Sequence, residues 1–211
     1  MIKLAANLTM LYNEIDFLDR FDAARKSGFT GVEYLFPYAY PKEELVERLA
    51  KHKLTQVLHN LPAGVDREEV RGTFVANLRF AAEKLGAAGI KLLIEPINTY
   101  DIPGFWLSRT EQALDVIRDT GSSNLFVQYD IYHMQRMEGE LANTIKAHLP
   151  QIAHLQLADN PGRNEPGTGE INYRFLFGFI DSIGYDGWIG CEYKPKGKTI
   201  DGLGWRAAHG V

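Results

Sequence analysis

Short apolar runs alternate with helix-length amphipathic segments from one end of the chain to the other. Ile2–Met10, Gly31–Phe36, Thr55–Leu61, Ile90–Glu95, Leu125–Asp130, Ile152–Ala158 and Trp188–Tyr193 read as seven buried strands, bounded by turn residues. Between them the spacing of apolar positions changes from continuous to helical. Asp16 is placed to cap a helix through Ser27, with Phe17, Leu18, Phe21 and Ala24 on one face and Gly28 just beyond its end. Pro41 opens a second helix with Leu45, Val46 and Leu49 inward. Asp66–Leu85 carries Val70, Phe74, Leu78 and Ala81 at helical spacing. Ser108–Asp119 reads as a helix with Ser108 as its cap, and Glu140–His148, Asn172–Ile183 and Asp201–Ala207 complete the set.

Strands alternating with helices predict parallel β/α units and an α/β fold. With no Ser/Gly linker or low-complexity tract, residues 1–211 read as a single domain. Polar residues recur at the C-terminal ends of nearly every strand: Asn7, Glu33, His59, Glu95, Asp130, Gln156 and Glu192. An open doubly wound sheet gathers its site at one crevice, whereas a barrel gathers all strand ends around one mouth. The pattern therefore predicts a (β/α) barrel of the TIM type. The count of seven strands is one short of the usual eight.

Composition narrows the function classes. The 211 residues are 45% hydrophobic and 24% charged, enough to bury a large core, and the net charge of −4 offers no general attraction to nucleic acid or anionic membranes. The N-terminal segment is too short and polar for a secretory signal, and no apolar run reaches the length of a membrane span, so the expected location is the cytoplasm. The lone Cys191 lies in an apolar run and reads as a buried, inert thiol.

Chemistry concentrates in four runs of the second half: KLLIEP, LFVQYD, IAHLQLAD and WIGCEY. They deliver Glu95, Asp130, Gln156 and Glu192. Three carboxylates and an amide brought to one mouth would repel one another without a cation between them. Oxygen donors of this kind suit a divalent metal, Mg²⁺ or Mn²⁺. Each acid taken alone also reads as a capped or salt-bridged structural residue. His133 lies three residues past Asp130, close to it if a helical turn begins there; it reads equally as a substrate contact or a packed histidine. His154 shares a strand face with Gln156. The polar loop DNPGRNEPGTGEINY carries Arg163 as its only cation, suited to a substrate carboxylate but also to a solvated surface role. Phe105 and Trp106 wall a small site or pack on a neighbour, with packing favoured for Trp106. Lys194 would offset the negative charge of Glu192.

The segments LAANLTMLYNE, GVEYLFPY, LHNLPAG, LLIEPINTYDIPGF, QYDIYHMQRMEGEL, HLQLADNPGRNEPGTGEINY and GWIGCEYKP run almost end to end. Together they resemble the hydroxypyruvate isomerase family, within the xylose isomerase-like barrels. The resemblance implies a metal-dependent ketose–aldose isomerase acting on a small anionic hydroxy-keto acid. It implies Glu95, Asp130, Gln156 and Glu192 as metal ligands, with Glu95 and Glu192 as the acid/base pair. Similarity to the ketose 3-epimerases implies substrate-side roles for Asp101, His133 and Arg163; His59, at its strand end, is placed on the same side. A homo-oligomer is compatible with all of this. Within the same resemblance, a 2-oxo-tetronate isomerase and a ketose 3-epimerase are the rival activities, a catalytically impaired barrel is the rival of another class, and an endonuclease-like reading suffers from the acidic balance and the few histidines.

The resemblance also exposes a departure. After Gly64 the chain runs directly into Val65-Asp66-Arg67, where the family passes through a loop, a helix and a further strand. The usual fourth strand is absent, which accounts for the count of seven. Either Thr55–Leu61 then neighbours Ile90–Glu95 directly, or a gap leaves unpaired sheet edges.

Overall fold

The computed structural model describes residues 2–60 and 71–211. In chain order the elements are β1 (Lys3–Asn7), α1 (Arg20–Lys26), β2 (Gly31–Tyr34), α2 (Lys42–His52), β3 (Thr55–His59), α3 (Arg71–Ala87), β4 (Leu92–Ile94), α4 (Thr110–Thr120), β5 (Leu125–Asp130), α5 (Ile131–Met137), α6 (Leu141–Ala147), β6 (Ile152–Leu157), α7 (Tyr173–Ser182), β7 (Trp188–Cys191), α8 (Thr199–Gly202) and α9 (Trp205–His209). The seven strands of the periodicity are all present among the described residues. The chain divides into two compact units, one of Met1–Pro62 with Gln156–Val211, the other of Ala63–Leu155.

In the first unit β1 is central. It pairs in parallel with β2 on one side and β7 on the other, and β2 pairs in parallel with β3 across a register shift at Val32/Glu33. The end of β6 joins beside β7, where the Glu192 N–H donates to the Leu157 carbonyl. Four of five β1 residues and all of β2 are buried, as expected of strands covered on both faces. β1 stops three residues earlier than its apolar run because the Asn7 side-chain oxygen accepts from the Thr9 and Met10 N–H groups and turns the chain. Phe17, Phe21, Tyr34 and Tyr40 form an aromatic cluster beside β2.

In the second unit β4 pairs in parallel with β5, and the first residues of β6 follow in the order β4-β5-β6. α3 buries Val75, Leu78 and Ala82, so its stripe is centred one residue past the expected Phe74/Ala81 positions. Its expected start, with Val70, lies outside the described residues, as do Leu61 and the junction at Gly64. α4 begins at Thr110, two residues beyond the expected start at Ser108. The reason is side-chain capping from a distance: Glu138 accepts from the Thr110 N–H at 2.7 Å, and Gln112 accepts from the Ser108 and Arg109 N–H groups.

Among the described residues, β3 pairs with β2 in the first unit and β4 pairs with β5 in the second. Val57 and Leu58 of β3 are half-buried, where four of five β1 residues and all of β2 are buried. On α2, Val46 was expected inward but is 63% exposed, while Leu45 is buried. In the second unit Phe80 of α3 and Ile90 before β4 are likewise exposed. Of these, Val46 and Ile90 are exposed where periodicity assigned them to a core.

Buried tyrosines make the fold sensitive to alkali. Desolvation raises the Tyr12 and Tyr34 hydroxyls to about 12, and it raises Tyr129 and Tyr193 further. A group with its folded pKa raised stabilises the fold below its unfolded value, ~10, and loses that contribution as pH rises through the folded value. Denaturant titrations at stepped pH are expected to show constant stability up to about pH 9.5 and a steep fall between about 10 and 12.

Candidate active site

In the first unit the strand ends bring polar side chains into a buried cluster. Asn7 ends β1, Glu33 lies on β2, Gln156 on β6, and Glu192 follows β7. Asn7, Glu33 and Gln156 are fully buried and Glu192 nearly so. Glu33 Oε1 accepts from Asn7 Nδ2 at 2.9 Å and from Gln156 Nε2 at 2.8 Å. Asn7 Nδ2 also reaches Glu192 Oε1 at 3.3 Å. Because Gln156 directs its amide nitrogen at Glu33, its carbonyl oxygen is the end suited to a hard cation. The Glu33 carboxylate occupies the space beside Gly190 where any other residue would carry a Cβ.

The loop after β6 is held by one buried acid. The Asp159 carboxylate accepts from the N–H groups of Asn160, Gly167, Gly169 and Ile171. Arg163 sits in that loop with a left-handed backbone, and its carbonyl accepts from the Lys194 N–H at 2.7 Å. This places Arg163 Nη2 2.6 Å from Glu192 Oε2. Arg163 is thus a partner of Glu192, not a solvated surface cation. Lys194 itself is exposed. His59 stands apart from this cluster: it ends β3 exposed, with its Nδ1 3.1 Å from Gln56 Nε2 and its ring edge-on to Tyr38.

In the second unit Glu95 follows β4, Asp130 ends β5 and His133 lies in the first turn of α5. Ligand atoms of Glu95, Asp130 and His133 lie within 4.8 Å of one another. Asp130 caps α5, with Oδ1 accepting from the Tyr132 N–H at 2.7 Å and the His133 N–H at 3.3 Å. The helical turn that the sequence left conditional is therefore formed, and His133 Nε2 comes to 3.5 Å from Asp130 Oδ2 and 3.7 Å from Glu95 Oε1. Gln128 Nε2 donates to Glu95 Oε2 at 2.9 Å. Asp101 accepts from Asn98, Tyr132 and Arg136.

Other expectations resolve simply. Cys191 is fully buried, and burial pushes its thiol well above the ordinary range. Trp106 packs edge-on against Phe74 at 6.2 Å. His154 is buried on β6, two residues before Gln156. Asn7 and Glu33 were legible as polar strand ends but carried no assigned role; Asn98, Gln128, Tyr132 and Arg136 gave no signal. Their importance comes from what they hold in space.

The donor set is oxygen-rich in each unit: two acids beside a histidine in one, an acid and an amide carbonyl in the other. This fits a hard divalent cation and offers no thiolate for a soft one. Among the described residues no helix is long and apolar enough to cross a membrane.

Comparison with known proteins gives the lineage. The xylose isomerase-like TIM barrel family matches residues 62–209. The chain is 47% identical to the hydroxypyruvate isomerase of Escherichia coli (strain K12) over 253 aligned positions, covering 97% of this chain and 98% of that one. It is 40% identical to the 2-oxo-tetronate isomerase of Cupriavidus necator, covering 97% of each. Both alignments are longer than the 211 residues of this chain, so these relatives carry residues for which it has none. The crystal structure of a family 2 AP endonuclease from Brucella melitensis superposes with a TM-score of 0.94 at 36% identity, covering 99% of both chains. With seven strands and intervening helices among its described residues, the chain belongs to the xylose isomerase-like TIM barrel family and, within it, to the hydroxypyruvate isomerase family.

Proposed function

We propose that this protein is a metal-dependent isomerase interconverting hydroxypyruvate and 2-hydroxy-3-oxopropanoate. The observation that carries this reading is a buried acid at the strand ends of each unit, Asp130 with the half-buried Glu95 in one and Glu192 with Gln156 in the other, in a chain 47% identical to a hydroxypyruvate isomerase. Glu95 and Asp130 in the second unit, and Gln156 and Glu192 in the first, are the proposed ligands of Mg²⁺ or Mn²⁺. Such an ion, when bound, polarises the substrate's carbonyl and hydroxyl oxygens and stabilises the charge that develops on them.

The remaining chemistry falls to the side chains. One of Glu95 and Glu192 removes the proton from the hydroxyl-bearing carbon, giving an enediolate, and the other helps return a proton to the neighbouring carbon. Arg163, already donating to Glu192, would hold the substrate carboxylate with other arms of its planar fork. His133 and Asp101 would orient the substrate's oxygens, and His59 would act at the periphery. Burial of Asn7 and Glu33 excludes water behind Glu192 and keeps its carboxylate in place.

The experiment joins metal analysis to an assay. After dialysis against a chelator the chain is expected to lose turnover of hydroxypyruvate, followed by proton NMR, and to regain it with Mg²⁺ or Mn²⁺ at about one ion per chain. A folded, metal-loaded sample that leaves hydroxypyruvate untouched defeats the proposal. Turnover of a 2-oxo-tetronate in its place would assign the activity named for the Cupriavidus relative.

A further inference from the structure

His133 stands beside Glu95 and Asp130 at distances that suit two opposite roles. With a lone pair on Nε2 it could be a third ligand to a cation. With a proton there it is a hydrogen-bond donor to carboxylates and substrate. The neutral ring has one proton, so whatever binds Nδ1 decides between them.

What binds Nδ1 is Asn98. The residue is fully buried just past β4, and its side-chain Nδ2 lies 2.6 Å from His133 Nδ1. An amide can be mistaken end for end, but here its other end is fixed independently. Asn98 Oδ1 accepts from the backbone N–H groups of Tyr100 at 3.1 Å and Asp101 at 2.8 Å. Asn98 Nδ2 also reaches Asp101 Oδ2, an acceptor, at 3.1 Å. The end facing His133 is therefore the NH₂ group. The Asn98 backbone N–H, which has no alternative orientation, points at the same ring nitrogen at 3.4 Å. Nδ1 faces two donors, so it accepts.

We propose that Asn98 is a positioning residue that holds the neutral ring of His133 as its Nε2–H tautomer, making His133 a hydrogen-bond donor toward Glu95, Asp130 and the substrate, and not a metal ligand. The same Asn98 amide binds Asp101, so the ring and that carboxylate are set by one side chain. The kinetic consequence rests on the isomerase reading; the tautomer does not.

The test reads the ring directly. In the full chain labelled with ¹⁵N-histidine, two-bond ¹H–¹⁵N spectra at about pH 8, well above the ordinary histidine pKa of ~6.5, distinguish the two tautomers, with His133→Gln assigning the signal. The expected pattern is a protonated Nε2 and a bare Nδ1, both without metal and with Mg²⁺ added. A protonated Nδ1, or an Nε2 that loses its proton when Mg²⁺ is added, overturns the proposal. Asn98→Ala is expected to mix the tautomers and to lower kcat by about 10-fold or more with KM changed little, the size of effect usual for residues that orient a site from behind. An unmixed Nε2–H ring in folded Asn98→Ala also overturns it. If that variant does not fold, the wild-type spectrum alone decides. A wild-type chain inert toward hydroxypyruvate but with the Nε2–H ring would remove the activity and leave the positioning role standing.

Discussion

Glu95→Gln is expected to lower turnover by a factor of about 10³, within the range for loss of a general acid or base, while leaving the melting temperature nearly unchanged. The reason for the second half lies in its neighbours. Glu95 Oε2 accepts from Gln128 Nε2 at 2.9 Å, and the amide oxygen of a glutamine can accept that bond equally. Glu192→Gln should remove turnover as completely but also destabilise the fold. Glu192 accepts from Asn7 on one oxygen and from the Arg163 guanidinium on the other, and an amide would turn its NH₂ toward one of them. Breaking a buried charged pair on one side costs about 3–5 kcal/mol; Arg163 is about one-fifth exposed, so the lower end applies. Single-turnover NMR assays beside calorimetry separate the two effects. Full turnover in both variants would defeat the acid/base assignment.

Gly190→Ala is expected to be the most damaging conservative change on the strands. The new methyl would occupy the volume of the Glu33 carboxylate, which cannot move without leaving Asn7 and Gln156. Overpacking of this kind costs about 3 kcal/mol, equivalent to a fall in melting temperature of roughly 6–12 °C for a domain of this size. Gly178→Ala is the internal control. Gly178 lies on the exposed face of α7, where an added Cβ meets nothing within 4 Å. There the substitution should stabilise by about 0.5–1 kcal/mol through helix propensity and a less disordered unfolded chain. Differential scanning calorimetry of the pair gives the contrast, and an unchanged Gly190→Ala midpoint would mean that Glu33 has room to shift.

Why some of this was legible in the sequence and some was not follows from range. The strands were readable because continuous apolar runs answer to local burial, and Glu95, Asp130, Gln156 and Glu192 because strand ends are fixed by the runs before them. Val46 misled because its helical spacing fits the inward face, yet it is exposed while Leu45 beside it is buried. The start of α4 was misplaced because its cap, Glu138, lies 28 residues away. The role of Glu33, and Asn98 altogether, escaped for the same reason. Glu33 acquires meaning through Gln156, and Asn98 through His133, both distant in sequence. A solvated role for Arg163 was the ordinary expectation for a loop arginine; the backbone bond from Lys194 that aims it at Glu192 has no local signature.

The split of the first unit between the two ends of the chain governs its assembly during synthesis. Residues 63–155 form a continuous stretch that can acquire β4 and β5 as soon as it leaves the ribosome. β1 cannot do so on both sides: its second neighbour, β7, begins at Trp188, and the latch of the Tyr12 N–H on Thr199 Oγ1 comes later still. Within this sequence β1 is thus made before the strands of the continuous unit and completed after them.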